Sequence, residues 1–457
     1  MTIDAPVDAA PVSAPASSLL TAPILPTLLR LALPNAVAMV GSALVTIAET
    51  SYIGRLGTEP LAAIALVFPF AMLAQMMSAG AMGGGVSSAI SRALGAGERD
   101  RAATLALHAT IIGICGGLFF TAMMLLFGRQ FFALLGGRGG VLEQACNYSQ
   151  VLFSGSIAIW LVNTLASVLR GTGDMRLPSA ALIGTALVQI VIGGTFGLGL
   201  FGMPQFGMRG VAAGQLTAFS LGAIFLLWYL ISGRSRLVLN LSAFTFQRGM
   251  FMDILKVGAV ACLAPLQSVL TILIFTKILA GFGTEMLAGY GMGSRLEFLL
   301  IPISFAIGTA SVPMVGMAMG AGLVRRARHV AWTAAAVAGL SVGLVGVVVA
   351  IEPALWVSLF TQDAAVTAAA NSYFAWAGPA FAFFGIGTCL YFSSQGAAKV
   401  GGPVIAGTMR LLMVVIGGWW LVSIHSPAWT LFALVGGAMI VFGLSTAASV
   451  RFTRWDK

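Results

Sequence analysis

Two acidic residues, Glu49 and Glu297, sit inside long apolar runs. A carboxylate near the middle of a bilayer costs about 2.5 to 3.5 kcal/mol on insertion scales, so each needs a compensating partner or a task. Glu49 ends a ladder spaced by seven, Asn35, Ser42 and Glu49, with Thr46 three residues before the acid and Tyr52 three after. Residues at this spacing share a helical face, and a polar face on an otherwise apolar helix turns from lipid toward the protein interior. There the carboxyl can exchange a proton or bind a cation, with Tyr52 in reach to hydrogen-bond it. A snorkelling acid at the outer interface is the plainer alternative. Glu297 belongs to a second ladder, Tyr290, Ser294, Glu297, Ser304 and Ser311. Ion coupling through Glu297 is weighed equally with a structural ion pair to Arg410, and both Arg295 and Arg410 are expected in the interior. Gln75, Asn163, Gln189, Gln267 and Tyr373 are further cavity-lining candidates, although interhelical hydrogen bonding would explain such polar groups equally well.

The elements that must position these groups are numerous and apolar. The chain has 457 residues, of which 59% are hydrophobic and 8% charged, and a mean hydropathy of +0.98. An ordinary soluble protein carries roughly 25% charged residues, so this composition excludes a water-soluble globular enzyme. One span needs only about 20 apolar residues, and the runs fall near 25–53, 61–90, 103–127, 145–169, 178–203, 209–232, 252–280, 286–316, 329–351, 366–393, 403–424 and 428–450. The fold class expected is an all-α polytopic membrane protein of twelve helices. Of the 24 basic residues, seventeen fall on one side of these spans and five on the other, which places both chain ends in the cytoplasm. Topology therefore accounts for the net charge of +10 without a nucleic-acid partner. Residues 1–22, rich in Ala, Pro and Ser, read as a disordered cytoplasmic tail. Residues 23–232 and 252–457 read as two six-helix bundles, joined by a basic cytoplasmic loop over 233–251.

The halves repeat. Leu56-Gly57-Thr58-Glu59 matches Phe282-Gly283-Thr284-Glu285 at an offset of 226, while Gly95-Ala96-Gly97 matches Gly320-Ala321-Gly322, Gly171 matches Gly396 and Pro178 matches Pro403 at 225. Six helices per repeat is an even number, so the second copy enters the membrane from the same side as the first. The pseudo-two-fold axis must then run along the membrane normal, an arrangement suited to alternating access between two bundles.

Several segments carry a family resemblance. Glu49-Thr50-Ser51-Tyr52-Ile53-Gly54-Arg55-Leu56-Gly57 resembles the D-T-x-F-V-G-x-L-G pattern of the multidrug and toxic compound extrusion (MATE) family. Ser91-Arg92-Ala93-Leu94-Gly95-Ala96-Gly97, the stretch Leu169 to Pro178, and Tyr290-Gly291-Met292-Gly293-Ser294-Arg295-Leu296-Glu297 are similar to further motifs of that family. The resemblance implies a secondary antiporter of a bacterial inner membrane that exports amphiphilic, cationic organic compounds against protons or sodium ions, working as a monomer among membrane lipids. The family pattern has Asp where Glu49 stands. One branch uses acids in spans seven and ten, where this chain has Gln267 and no acid over 366–393; another has an N-x-x-x-D pair aligned with Gln189 and Gly193. A sodium site wants several oxygens and a proton only one carboxylate, so proton coupling through Glu49 is favoured.

A lipid-linked precursor flippase of similar plan is the alternative, and an uncoupled channel or assembly factor a third reading. No P-loop with a Lys-Ser or Lys-Thr ending is present, His108, His329 and His425 stand apart, and the four cysteines lack metal-ligand spacing. No cofactor, resident metal or enzymatic chemistry is expected.

Overall fold

In a bilayer the backbone finds no water, so each spanning segment must close its hydrogen bonds within a helix or a closed barrel. The computed structural model describes residues 18–237, 239 and 245–455, and the regular elements among these are all helical. Ten helices are long and apolar enough to cross a membrane, and two bent helix pairs bring the number to twelve. Spans one to six are Ile24–Leu56, Thr58–Gly95, Arg99–Leu134, the pair Gly139–Ser154 and Ser156–Gly171, Arg176–Leu198, and Gly207–Ile231. Spans seven to twelve are Arg248–Phe282, Thr284–Gly320, Val324–Ile351, the pair Ala364–Ala377 and Phe381–Gly396, Gly401–Ser423, and Trp429–Phe452. They form two six-helix bundles related by a pseudo-two-fold axis along the membrane normal.

The contacts at that axis carry the repeat directly. A Cβ on Gly95 would strike the backbone of Met317, and a Cβ on Gly320 would strike the backbone of Arg92. Both members of the second contact are displaced by 225 from their counterparts in the first, so the seam is reciprocal. Ser91 faces Gly316, its own repeat mate, which puts the axis between them. The breaks agree as well: span four bends by 48° at Gly155 and span ten by 55° just before Phe381. Only bare backbone lets helices approach this closely, and this is why the small residues recur at matched positions in the two halves.

Twelve spans put both described chain ends on one face, called here the terminal face. Toward it the bundles are sealed: Gly80–Ser91 and Ala93 of span two and Ser304, then Ala306–Ala318, of span eight are buried. Span two contains a π-helical segment, Met76–Met82, whose extra residue per turn brings Gly80 against the Phe305 and Phe392 rings. The sequence expectation of disorder through residue 22 needs correction at its end. Ser18–Thr21 form a helical turn, and Arg326 donates to the carbonyls of Leu19 at 3.0 Å and Ala22 at 2.5 Å. A basic side chain satisfying exposed carbonyls at a helix end is a favourable cap, and Leu19 is buried beneath it. Residues 1–17 lie outside the described residues.

Candidate functional site

Span one carries Glu49 close to its far end, in a helix with few polar groups. The carboxylate is buried, and Gln189 of span five donates to it from Nε2 at 2.7 Å. The partner is thus Gln189 and not Tyr52. The Tyr52 ring lies instead beside Gly194, where an added Cβ would come within 3.0 Å of Cζ. The ladder of span one is also divided. Asn35 is buried and donates to Thr309 of span eight, joining the bundles. Ser42 and Thr46 are exposed, each hydroxyl donating at 3.2 Å to the carbonyl four residues earlier in its own helix. A short hydroxyl can satisfy itself this way without a partner on another helix. Tyr148 of span four is buried, lies near enough to feel the Glu49 charge, and donates to Gln215 Oε1 at 3.4 Å. Sequence reading missed it because it lies in a polar stretch, Glu143, Gln144, Asn147, Ser149 and Gln150, in which no one position stands out.

Gln75 and Asn163 do meet. Asn163 Nδ2 donates to Gln75 Oε1 at 3.1 Å and to Ser78 Oγ at 2.8 Å. This is a satisfied interhelical network between spans two and four beside the π-helical turn, and it leaves Asn163 fully buried.

A second polar centre lies in the other bundle. Spans seven, eight, ten, eleven and twelve, closed off by Met72, Met76 and Gly80 of span two, enclose a cavity of about 120 Å³ lined by Gln267, Glu297, Phe384 and Arg410. Tyr373 of span ten donates to Glu297 Oε1, and the Tyr290 and Tyr373 rings meet edge to face with centroids 5.7 Å apart. Gln267 donates to Thr408 Oγ1 at 2.8 Å, while its Oε1 has no donor among the described residues. Arg410 stacks over the Phe384 and Phe442 rings at 5.3 and 5.8 Å. Although Glu297 and Arg410 interact electrostatically, they do not form the direct ion pair allowed for on sequence grounds: no charged-atom contact within 4.0 Å joins them. Arg295 departs from expectation too. It is exposed and lies over Phe360 at 5.3 Å, because residues two apart on a helix point about 200° apart.

Side-chain contacts hold the bundles together toward the terminal face. Ser88 donates to the Gln395 carbonyl. Arg92, at the end of span two, meets Asp253 at 2.7 Å, and Arg101, at the start of span three, reaches the other oxygen of the same carboxylate at 3.3 Å. Asp253 opens span seven of the opposite bundle, so one carboxylate bridges the lobes. No local pattern marks such a pair, whose members are 161 residues apart.

Two pseudo-symmetric six-helix bundles, sealed on one face and carrying an acidic residue within a span in each, Glu49 buried and Glu297 half-buried, define a multi-pass membrane protein of transporter architecture. The MatE family profile matches residues 34–195 and 261–420, and the chain belongs to that family. A transporter of the MOP superfamily from Pyrococcus furiosus has the same fold, with a TM-score of 0.86 at 24% identity over 96% of this chain and 97% of that one. The chain is similar to an FAD transporter of Shewanella oneidensis, 28% identical over 68% of this chain and 69% of the relative. It is also similar to the NorM protein of Thermotoga maritima, named for multidrug resistance, at 27% identity over 74% of this chain and 72% of the relative.

Proposed function

We propose that this protein is a secondary antiporter of a bacterial inner membrane, exporting amphiphilic organic compounds with a cationic centre in exchange for protons. The terminal face is then cytoplasmic, in keeping with the seventeen to five division of basic residues. The observation that carries the reading is Glu49: a buried carboxylate inside a span, met among the described residues by one neutral amide donor and by no cation. One carboxyl suffices for a proton, whereas a sodium ion would need further oxygens, and Gln189 offers its Nε2 to the acid. Protonation from the outer side would remove the charge that strengthens the Gln189 bond and free span one to repack. Deprotonation toward the cytoplasm would restore it. The name of a further relative, the multidrug export protein MepA of Staphylococcus aureus, 25% identical over 60% of each chain, supports the direction of transport.

The test is efflux of a fluorescent organic cation from proteoliposomes under an imposed proton or sodium gradient. A proton gradient alone should drive export, and Glu49→Gln should lose that drive while still binding dye. Unchanged transport by Glu49→Gln, or a sodium gradient acting alone, would overturn proton coupling through this residue.

A further inference from the structure

The cavity of the second bundle contains a contradiction that a pure cation site would not have. Its wall presents a carboxylate, Glu297, and a guanidinium, Arg410. In so apolar a setting two opposite charges gain most by collapsing onto each other, since attraction grows as the dielectric falls. They are held apart. Tyr373, packed among Tyr290, Phe374 and Phe432, fixes Glu297 by its hydroxyl. The Phe384 and Phe442 faces hold Arg410, and among the described residues its guanidinium donates no hydrogen bond. Aromatic faces stabilise a cation without using its donors, so the Arg410 fork stays free to bind. Gln267, on the same wall, keeps an unpartnered acceptor, Oε1. Most of the remaining lining, Met72, Met76, Ile301, Phe305 and Phe392 among it, is apolar, joined by the hydroxyl-bearing Ser268, Thr271, Thr388 and Tyr391.

We propose that this cavity binds the polar end of a zwitterionic amphiphile, with its cationic centre on Glu297 and its carboxylate or phosphate on the Arg410 fork. This rests on the antiporter reading for the act of export and refines its substrate class from cation to zwitterion. Glu297 and Arg410 thereby serve recognition, and coupling is left to Glu49 in the other bundle. A bidentate guanidinium–carboxylate contact is geometrically selective, and a substrate lacking the anion would displace water from the half-buried Arg410 without pairing its charge, which is the stronger source of discrimination.

The experiment uses the purified full-length protein in nanodiscs and two probes of matched shape: tetramethylrhodamine, whose free carboxylate makes it a zwitterion at neutral pH, and its methyl ester, a cation. Binding is read by fluorescence anisotropy without any gradient, so its outcome is independent of the coupling test. The wild type should bind the zwitterion at least tenfold more tightly than the ester. Arg410→Gln should abolish the preference by weakening the zwitterion alone, and Glu297→Gln should weaken both probes. Arg410→Lys, which keeps the charge but not the fork, should fall between and guards against misfolding of the glutamine variant. Equal affinities in the wild type, or an unchanged ratio in Arg410→Gln, would overturn the assignment. Failure of proton-driven export with the preference intact would instead count against the antiporter reading.

Discussion

Asp253→Asn removes the negative charge that Arg92 and Arg101 of the opposite bundle share, and it does so without changing side-chain shape. The structure sets the scale of the effect. Arg92 Nη2 and Asp253 Oδ1 are 2.7 Å apart, with side chains only 18% and 29% exposed, whereas Arg101 is 44% exposed at 3.3 Å. A fully exposed pair contributes up to about 1 kcal/mol and a hydrogen bond to a charged group about 1.5 to 3 kcal/mol. A pair of this intermediate burial, with a screened second arginine adding little, is therefore worth about 1.5 kcal/mol. On the antiporter reading the contact spans two bundles that separate when the terminal face opens, so nearly all of this energy biases one conformation over the other. At about 1.4 kcal/mol per tenfold, the ratio of terminal-face-closed to terminal-face-open molecules should fall roughly tenfold. Spin labels at Arg99→Cys and Arg325→Cys, exposed positions at the ends of the two lobes, report the populations by double electron–electron resonance after the four native cysteines are replaced. Asp253→Asn should shift weight from the short to the long distance, and added salt should move the wild type the same way. Unaltered populations in the variant would refute the argument that this carboxylate latches the lobes.

Two further substitutions follow from the repeat. Gly320→Ala would drive a Cβ into the Arg92 backbone, with the carbonyl carbon 2.8 Å and Ala96 N 3.0 Å away; because backbone cannot yield as a side chain can, the variant should reach the membrane yet lose transport, with the same label pair showing the terminal face held open. Ala398 stands at φ 56° where its repeat mate Gly173 stands at 86°, and a side chain in this left-handed region costs about 1 to 2 kcal/mol. Ala398→Gly should raise the midpoint of thermal unfolding in detergent, and an unchanged or lowered midpoint would show that the alanine is not strained.

The membrane fold was legible because its determinants are local or periodic. Runs of about 20 apolar residues must become helices in lipid, and a six-helix repeat fixes the axis along the membrane normal. The matched glycines then reappear as reciprocal contacts at that axis, Gly95 on Met317 and Gly320 on Arg92. The two intramembrane acids could be named for a similar reason: the cost of burying charge depends on residue type and depth. Their partners could not. Glu49 meets Gln189 from 140 residues away, and Glu297 meets Tyr373 from 76, through rotations of whole helices that spacing within one helix does not encode. The same limit explains the expectations that changed. Tyr52 shares a face with Glu49 yet rests by Gly194, and Arg295, exposed, stacks on Phe360. Sequence alone determined which residues are expensive in a membrane and how the chain crosses it. Only the tertiary structure decided which of those residues face one another, because pairing follows from how the helices are turned and packed.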